Sequence, residues 1–147
     1  AHDGQPAWST AGERMHAGVQ ALVGHLNRTY VNEPALHIRD VDARGFEWLD
    51  ANNAESSVLV FARRSQDEDH PIIVACNFTP VPQHNYRVGV SDPGVYREIV
   101  NTDAKEYGGS GQGNLGGLEA TPAPHYGRPY SLNVTLPPLG AVFLKRL

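Results

Sequence analysis

The chain has 147 residues, of which 40% are hydrophobic and 19% are charged, and its formal net charge at pH 7 is −4. This length suits one ordinary domain with a short extension, and no apolar stretch is long enough to cross a bilayer. An acidic chain without basic clusters is a poor nucleic-acid binder, because phosphate contacts need Lys and Arg grouped on one face. We therefore expect neither nucleic acid nor a membrane as a partner.

Cys76 is the only cysteine, so no intrachain disulfide can form, and a reducing cytoplasm is the expected location. Because it lies in the apolar run Ile72–Cys76, we interpret it as a small buried side chain and not as a nucleophile. The first residues lack the basic start and the apolar segment of a signal peptide.

One helix is predicted near the start of the chain. Residues 1–15 are polar, contain Gly4, Pro6 and Gly12, and are predicted to form a loop. From His16 to Asn32 the apolar side chains follow helical spacing and form one stripe of an amphipathic helix. Its members are Val19, Leu22, Val23, Leu26 and Tyr30. The helix is predicted to end at Pro34, because the residue before a proline avoids the α region.

After Pro34 the pattern becomes that of strands: short runs rich in Val, Ile, Phe and Tyr, bounded by turn residues. The predicted strands are Phe46–Leu49, Val58–Arg63, Ile72–Asn77, Tyr86–Val90, Val95–Val100, Tyr130–Leu136 and Gly140–Leu144. No second helical pattern intervenes. The fold class is therefore mainly β, an antiparallel β-sandwich or open barrel of about seven or eight strands, preceded by one amphipathic α-helix.

Several strands also predict which faces are buried. Ile72–Cys76 is apolar throughout, which indicates a central strand covered on both sides. Leu132–Leu136 and Tyr86–Val90 alternate, so each is expected to bury one face. Phe46 and Trp48 share a face, which we interpret as part of the core.

The segment from Asn101 to Arg128 contains seven glycines and is predicted to be a long loop. A loop of this length in a compact domain is often functional or held by a neighbour, and we expect a neighbouring domain to hold it. Gly111–Gly116 matches the dinucleotide fingerprint in its letters, but that motif requires a following helix. Thr121–Pro124 cannot propagate a helix, so we predict no bound nucleotide and no cofactor.

The sequence supplies no convincing catalytic or metal site. None of the seven histidines forms a His-x-x-x-His pair and no Cys-x-x-Cys exists, so no metal site is predicted. Glycosyl transfer commonly uses two carboxylates, and the candidates are Asp40, Asp42, Asp67, Glu68, Asp69, Glu98 and Asp103. Their spacing does not bring any two together, and we assign no catalytic residue.

Aromatic side chains are the remaining binding candidates. Tyr107, Tyr126 and Tyr130 lie in or beside the glycine-rich segment, together with His125. Aromatic rings can stack on the apolar faces of sugars, although the same rings also suit packing of a loop onto a neighbouring surface. The sequence leaves both interpretations open.

Several strings in order resemble a known family. They are His16–Val23, Leu26–Tyr30, Gly45–Leu49, Ser57–Arg64, Asn77–Pro82, Arg97–Ile99, Asn101–Asp103, Tyr107–Ser110 and Ser131–Pro138. Together they resemble the C-terminal domain of 1,4-α-glucan (glycogen) branching enzymes, which belong to the α-amylase superfamily. The match covers most of the chain but is poor over residues 1–15.

The resemblance implies a division of the chain and a role. Residues 1–34 would hold a loop and the last helix of a catalytic (β/α)₈ barrel, and residues 35–147 an all-β C-terminal domain. The parent enzyme would cleave an α-1,4 linkage and transfer the segment to form an α-1,6 branch in glycogen biosynthesis. Val19, Leu22, Val23 and Leu26 would face the barrel, the partner within the same parent chain; the alternatives are that they rest on the sandwich or drive self-association.

Three hypotheses therefore stay open at this point. The chain is a non-catalytic supporting domain of a branching enzyme, or an autonomous module that binds α-glucan such as glycogen or amylose, or a small glycosidase with its own carboxylate pair. Under the first hypothesis the isolated chain is inactive, because the motifs that carry the family's catalytic acids are not found in it.

Overall fold

The computed structural model describes residues 7–37, 45–50, 57–65 and 70–147. The predictions made for Asp40, Asp42 and the acidic run 67–69 lie outside the described residues.

One long helix and eight strands make up the described part of the chain, together with 3₁₀ turns at Pro34–Leu36 and Lys105–Tyr107. The elements are α1 (Ala7–Asn32), β1 (Phe46–Asp50), β2 (Val58–Arg63), β3 (Ile72–Asn77), β4 (Gln83–Val90), β5 (Val95–Asn101), β6 (Gly117–Glu119), β7 (Tyr130–Leu136) and β8 (Gly140–Arg146). The mainly β class with one preceding helix is confirmed.

Helix α1 is longer than predicted, and the prediction of a loop is wrong for residues 7–15. This segment is rich in alanine and holds a single glycine, Gly12, in what is otherwise a helix-compatible composition. One interior glycine costs about 1 kcal/mol relative to alanine, which a helix of 26 residues tolerates.

The strands form two antiparallel sheets that pack face to face. The larger sheet has the order β1-β2-β3-β8-β5-β6, and β4 pairs with β7 in the smaller one. The predicted central strand, β3, pairs with β2 on one side and β8 on the other. Among the described residues the smaller sheet covers only one face of the larger sheet, which leaves an outer face to be covered by other means.

The main core lies between the two sheets. It includes Val60, Ala75, Leu132, Val134 and Leu144, all of them fully buried. The alternation predicted for Leu132–Leu136 is confirmed, since the side chains at 132, 134 and 136 are buried and that at 133 is exposed. Burial of each such aliphatic side chain contributes roughly 1.5–3 kcal/mol before entropic costs.

The glycine-rich segment is held by this chain's own residues, contrary to the expectation of a neighbouring domain. Asn114 is buried; its Nδ2 donates to Glu98 Oε2 at 2.8 Å and to the Thr135 carbonyl at 3.0 Å, and its Oδ1 accepts from the Thr135 amide at 2.7 Å. The segment also contains strand β6, which pairs with β5. Because a strand follows Gly111–Gly116, the geometry of a dinucleotide site is missing.

Helix α1 is fastened to the 3₁₀ turn that follows β5. Any Cβ at Gly18 would collide with the carbonyl of Tyr107, so glycine permits the close approach. The Tyr107 hydroxyl and His25 Nδ1, which lies further along the helix than Gly18, form a hydrogen bond. Burial raises the pKa of Tyr107, the Glu106 carboxylate raises it further, and Arg28 opposes the shift.

We expect the substitution Asn114→Ala to lower the free energy of unfolding by about 2–4 kcal/mol, because it leaves buried partners without hydrogen bonds. The measurement is urea denaturation. Asn133→Ala, at an exposed position of β7, serves as the control and should change stability by less than about 0.5 kcal/mol. Equal effects of the two substitutions would contradict the role assigned to Asn114.

We expect Tyr107→Phe to lower the free energy of unfolding by about 1 kcal/mol, because it removes the hydrogen bond to His25. Tyr126→Phe is the matched control, since Tyr126 is 70% exposed. Hydrogen exchange of the α1 amides locates the effect: exchange near His25 should accelerate in the first variant alone. Unchanged exchange there would show that Tyr107 does not fasten the helix.

Candidate functional site

The outer face of the larger sheet carries a second apolar cluster. Ile72 and Val74 of β3 are buried in it together with Ala35, and half-buried neighbours pack around them. These neighbours are Leu36, Phe61, Cys76, Ile99 and Phe143. The prediction that β3 is covered on both sides is thereby confirmed, and Ala35 and Leu36 of the 3₁₀ turn contribute to the outer cover.

The cover is incomplete. A groove of about 400 Å³ separates α1 from the sheet, with Leu26 and Tyr30 on the helix side and Phe61, Val74 and Phe143 on the sheet side. The groove is therefore apolar at its base.

Cys76 is half-buried on this outer face and is not part of the main core, although burial does raise the pKa of its thiol.

Helix α1 presents two adjacent faces. At about 100° per residue, Gly18, Leu22, His25 and Thr29 fall within about 60° of one another, and they include the helix's two buried positions in the described part of the chain, Gly18 and Thr29. This is the face packed on the sandwich.

The other face, which we call the open stripe, consists of Val19 and Val23 and lies about 110° round the helix. Val19 is 53% exposed and Val23 49%. The four residues predicted to face a barrel are thus divided: Leu22 and Leu26 are half-buried beside the sandwich, while Val19 and Val23 are on the open stripe. Their contact with a barrel remains a prediction.

Trp48 is not in the core, so that interpretation is wrong. It is 51% exposed on the outer face and packs edge-on against Phe46 and Phe61, with ring centroids 4.9 and 5.9 Å away. Alternation correctly places Phe46 and Trp48 on one face, but β1 is an edge strand and its inward side chain is Leu49. The exposed aromatic was missed because alternation does not say which face is covered.

The four predicted glucan-binding residues do not converge. Tyr107 is half-buried and engaged with α1, and Tyr130 is half-buried against the main core, opposite Val90. Tyr107 belongs to the β5 side of the sheet, four strands from β1, which is about 19 Å at the usual strand spacing. Neither tyrosine presents a free ring face at the edge where the other two candidates lie.

His125 and Tyr126 form the tip of a tight turn above β4. The turn is closed by paired backbone hydrogen bonds between His125 and Arg128, at 3.0 and 3.1 Å. The two rings lie 4.2 Å apart, and Tyr126 is 70% exposed. Gly89 beneath permits the approach, because a Cβ there would collide with the His125 carbonyl.

Arg128 connects this turn to β1. Its guanidinium donates to the Trp48 carbonyl at 3.1 Å and lies 3.4 Å from Glu47 Oε2. Trp48, on the outer face of β1, and Tyr126, on the turn that Arg128 joins to β1, are therefore two exposed aromatic side chains near the Glu47–Arg128 ion pair. We call this the aromatic edge.

Glu98 and Asp103, the two described members of the predicted carboxylate set, have structural partners. Glu98 accepts from the backbone and side chain of Asn114, at 3.0 and 2.8 Å. Asp103 accepts from the amides of Ser110 and Gln112, at 2.9 and 3.2 Å, and from the Ser110 hydroxyl. Both fasten the glycine-rich segment. Within the ranges that the structure describes, no three His, Cys, Asp or Glu side chains group as metal ligands, and no helix is long and apolar enough to cross a membrane.

Comparison with known proteins bears on this geometry. Residues 48–146 match the family model described as "Alpha amylase, C-terminal all-beta domain". The chain is 50% identical to the 1,4-alpha-glucan branching enzyme GlgB of Aquifex aeolicus (strain VF5) over 144 residues, which cover 98% of this chain and 23% of that protein.

Two further relatives show the same relation. The enzymes of the same name from Burkholderia vietnamiensis (strain G4 / LMG 22486) and Rhodopirellula baltica (strain DSM 10527 / NCIMB 13988 / SH1) are each 50% identical to it. These matches cover 98% and 97% of this chain and 20% and 19% of those proteins. The chain thus spans about a fifth of the length of the relatives it matches. The resemblance drawn from the ordered strings is confirmed: the chain belongs to the family of α-amylase C-terminal all-β domains.

Proposed function

We propose that the chain is the non-catalytic C-terminal domain of a 1,4-α-glucan branching enzyme and that it supports the enzyme's catalytic part. The observation that carries the proposal is the 50% identity to branching enzymes over nearly the whole chain. The matched part makes up about a fifth of the length of those enzymes. The chemistry proposed for the parent, cleavage of α-1,4 linkages and formation of α-1,6 branches, belongs to the remainder.

The open stripe of α1 is the proposed contact with that remainder. A helix that packs one face on the sandwich and exposes a second apolar face to solvent is typical of a helix shared between two domains. Covering the exposed halves of Val19 and Val23 would contribute roughly 1 kcal/mol each at the usual value per unit of apolar area. On this proposal residues 1–34 belong structurally to the catalytic barrel and residues 35–147 to the sandwich.

A second role, contact with α-glucan, is supported by the aromatic edge. Trp48 and Tyr126 offer exposed rings, and Glu47 and Arg128 beside them offer groups that can hydrogen-bond to hydroxyls. Such a mixture of ring faces and charged groups suits sugar binding. Tyr107 and Tyr130 do not contribute to this candidate, because both are engaged within the domain.

An independent glycosidase is not favoured. Glu98 and Asp103, the described members of the carboxylate set, accept hydrogen bonds from the loop that they hold. We also propose a cytoplasmic location. It is supported by the half-buried thiol of Cys76, which has no second cysteine in this chain with which to form a disulfide.

The supporting role predicts different effects in two contexts. In the parent enzyme, the double substitution Val19→Ser and Val23→Ser should lower the free energy of unfolding by about 2 kcal/mol and should reduce the branching rate. In the isolated chain the same change should have an effect of less than about 0.5 kcal/mol. Urea denaturation of both proteins measures this.

Val31→Ser is the matched control for that comparison, because Val31 is 71% exposed and lies about 100° from the open stripe. It should leave both proteins unchanged. An equal loss of stability in the isolated chain and in the parent would contradict a contact at the open stripe.

The glucan role predicts retardation of the isolated chain in native gels that contain glycogen. Replacement of both Trp48 and Tyr126 by alanine should lower the affinity for glycogen by about tenfold or more, because each ring stacked on a sugar contributes about 1 kcal/mol. Phe78→Ala, which removes an exposed ring elsewhere, should not alter the retardation. Equal mobility with and without glycogen would contradict the glucan role, and the supporting role would then be the only role proposed.

A further inference from the structure

One end of the sandwich displays large apolar side chains that neither α1 nor the smaller sheet covers. Here β3 gives way to the turn at residues 78–82, and β7 connects to β8 through residues 137–139. We call the four exposed side chains at this end the apolar tip: Phe78, Val81, Leu115 and Leu139. They are between 59% and fully exposed.

The four side chains belong to one end because their strands meet there. Asn77 at the end of β3 pairs with Gly140 at the start of β8, and Gln83 at the start of β4 pairs with Leu136 at the end of β7. Leu115 follows Asn114, which is bonded to Thr135 one residue before the end of β7.

The apolar tip is rigidly built. Asn77 is buried, and its Nδ2 donates to the carbonyls of Val81 at 2.9 Å and Pro137 at 3.0 Å, one in each turn. The Leu139 amide donates to the Thr79 carbonyl at 2.8 Å and joins the two turns again. Phe78, Val81 and Leu139 are thus presented in fixed positions, which lowers the entropic cost of binding a partner.

Two members of the apolar tip have backbone conformations that leucine disfavours. Leu115 has φ of 53° and Leu139 φ of 46°, in the left-handed region where glycine or asparagine is the usual residue. An exposed leucine there stabilises the isolated domain neither by burial nor by conformation. Strain of this kind is a recognised mark of functional positions.

Helix α1 extends toward the same end. Its last turn lies at the opposite end, where Glu33 forms an ion pair with Lys145 of β8 at 2.8 Å, and Gly18 lies against Tyr107, shortly after the end of β5. The eleven residues before Gly18 continue for about 16 Å at 1.5 Å per residue, and Gly12, Glu13 and Arg14 among them are exposed. The helix and the apolar tip therefore form a corner.

We infer that the apolar tip is a second docking surface, distinct from the open stripe, and that its occupant is an apolar surface of the remainder of the parent chain. This inference rests on the proposed function. The relatives supply a partner of sufficient size, because about four fifths of their length lies outside the match. A partner seated in the corner contacts the first half of α1 and the apolar tip together.

A second copy of the chain suits this surface less well. A second copy would have to be held by this surface without a tether, and its four side chains expose on the order of 400 Å² of apolar area. A partner joined by the same backbone needs less area, because tethering raises its effective concentration.

The test compares amide hydrogen exchange, read by mass spectrometry, in the isolated chain and in the full-length branching enzyme. We expect exchange of residues 78–82, 113–117 and 137–140 to be at least tenfold slower in the full-length enzyme. The turn at residues 125–128, at the other end of β7, is the internal control and should exchange at the same rate in both proteins.

The outcomes separate this inference from the proposed function. Slower exchange along α1 without any change at the apolar tip would overturn the second docking surface and leave the supporting role intact. No difference at either place would overturn both. Protection of the apolar tip already in the isolated chain would also overturn the inference; if it grows with protein concentration, the occupant is a second copy.

A substitution provides an independent test. Leu139→Asn suits the left-handed backbone and should keep or raise the Tm of the isolated chain. In the full-length enzyme it should restore fast exchange at residues 78–82. Val95→Asn, which changes an exposed valine at the other end of the sandwich, is the control. A lower Tm of the isolated chain with unchanged exchange in the enzyme would show that Leu139 serves the domain's own stability.

Discussion

The structure depends on the burial of both faces of β3. Ile73 and Ala75 point into the main core, and Ile72 and Val74 are buried on the opposite side. The smaller sheet covers only one of these faces, so the outer face needs further cover, which Ala35 and Leu36 of the 3₁₀ turn provide, with α1 across a groove from the sheet. The helix in turn must fit closely, which explains Gly18 against the Tyr107 backbone and the hydrogen bond between Tyr107 and His25.

Helix α1 packs on the sandwich with the face that contains Gly18 and Thr29, so Val19 and Val23 on its other apolar face are about half exposed. The apolar tip adds large side chains at the end toward which the helix extends. Both surfaces are apolar, whereas Trp48 lies on the outer face beside Phe61 and Tyr126 lies on the turn above β4.

Much of this fold is predictable from sequence. The bounds of β2, β3 and β7 agree with the predicted runs, because turn residues delimit them and their apolar period is unambiguous. Strand β6 was missed, since three residues that begin with Gly117 carry no periodic signal and depend on pairing with β5. The start of β4 was missed because its first residues are polar and the pairing is irregular between Gln83 and Tyr86.

The candidate site was less predictable for a related reason. The four aromatic and histidine candidates were chosen for lying near a loop, and the loop's own hydrogen bonds then decided their places. Asn114 and Glu98 fasten the segment, which carries Tyr107 to the helix and leaves Tyr126 exposed. The interpretation of Trp48 as a core residue is wrong because exposure of an outer face depends on how far α1 reaches, a long-range property that local spacing does not encode.

Differential scanning calorimetry of the full-length branching enzyme beside the isolated chain tests whether this domain supports a larger enzyme by docking on it. We expect the domain to unfold in the enzyme at a higher temperature than alone, within one transition shared with the catalytic part. A separate transition in the enzyme at the Tm of the isolated chain would contradict it, since the domain would then be tethered but not docked.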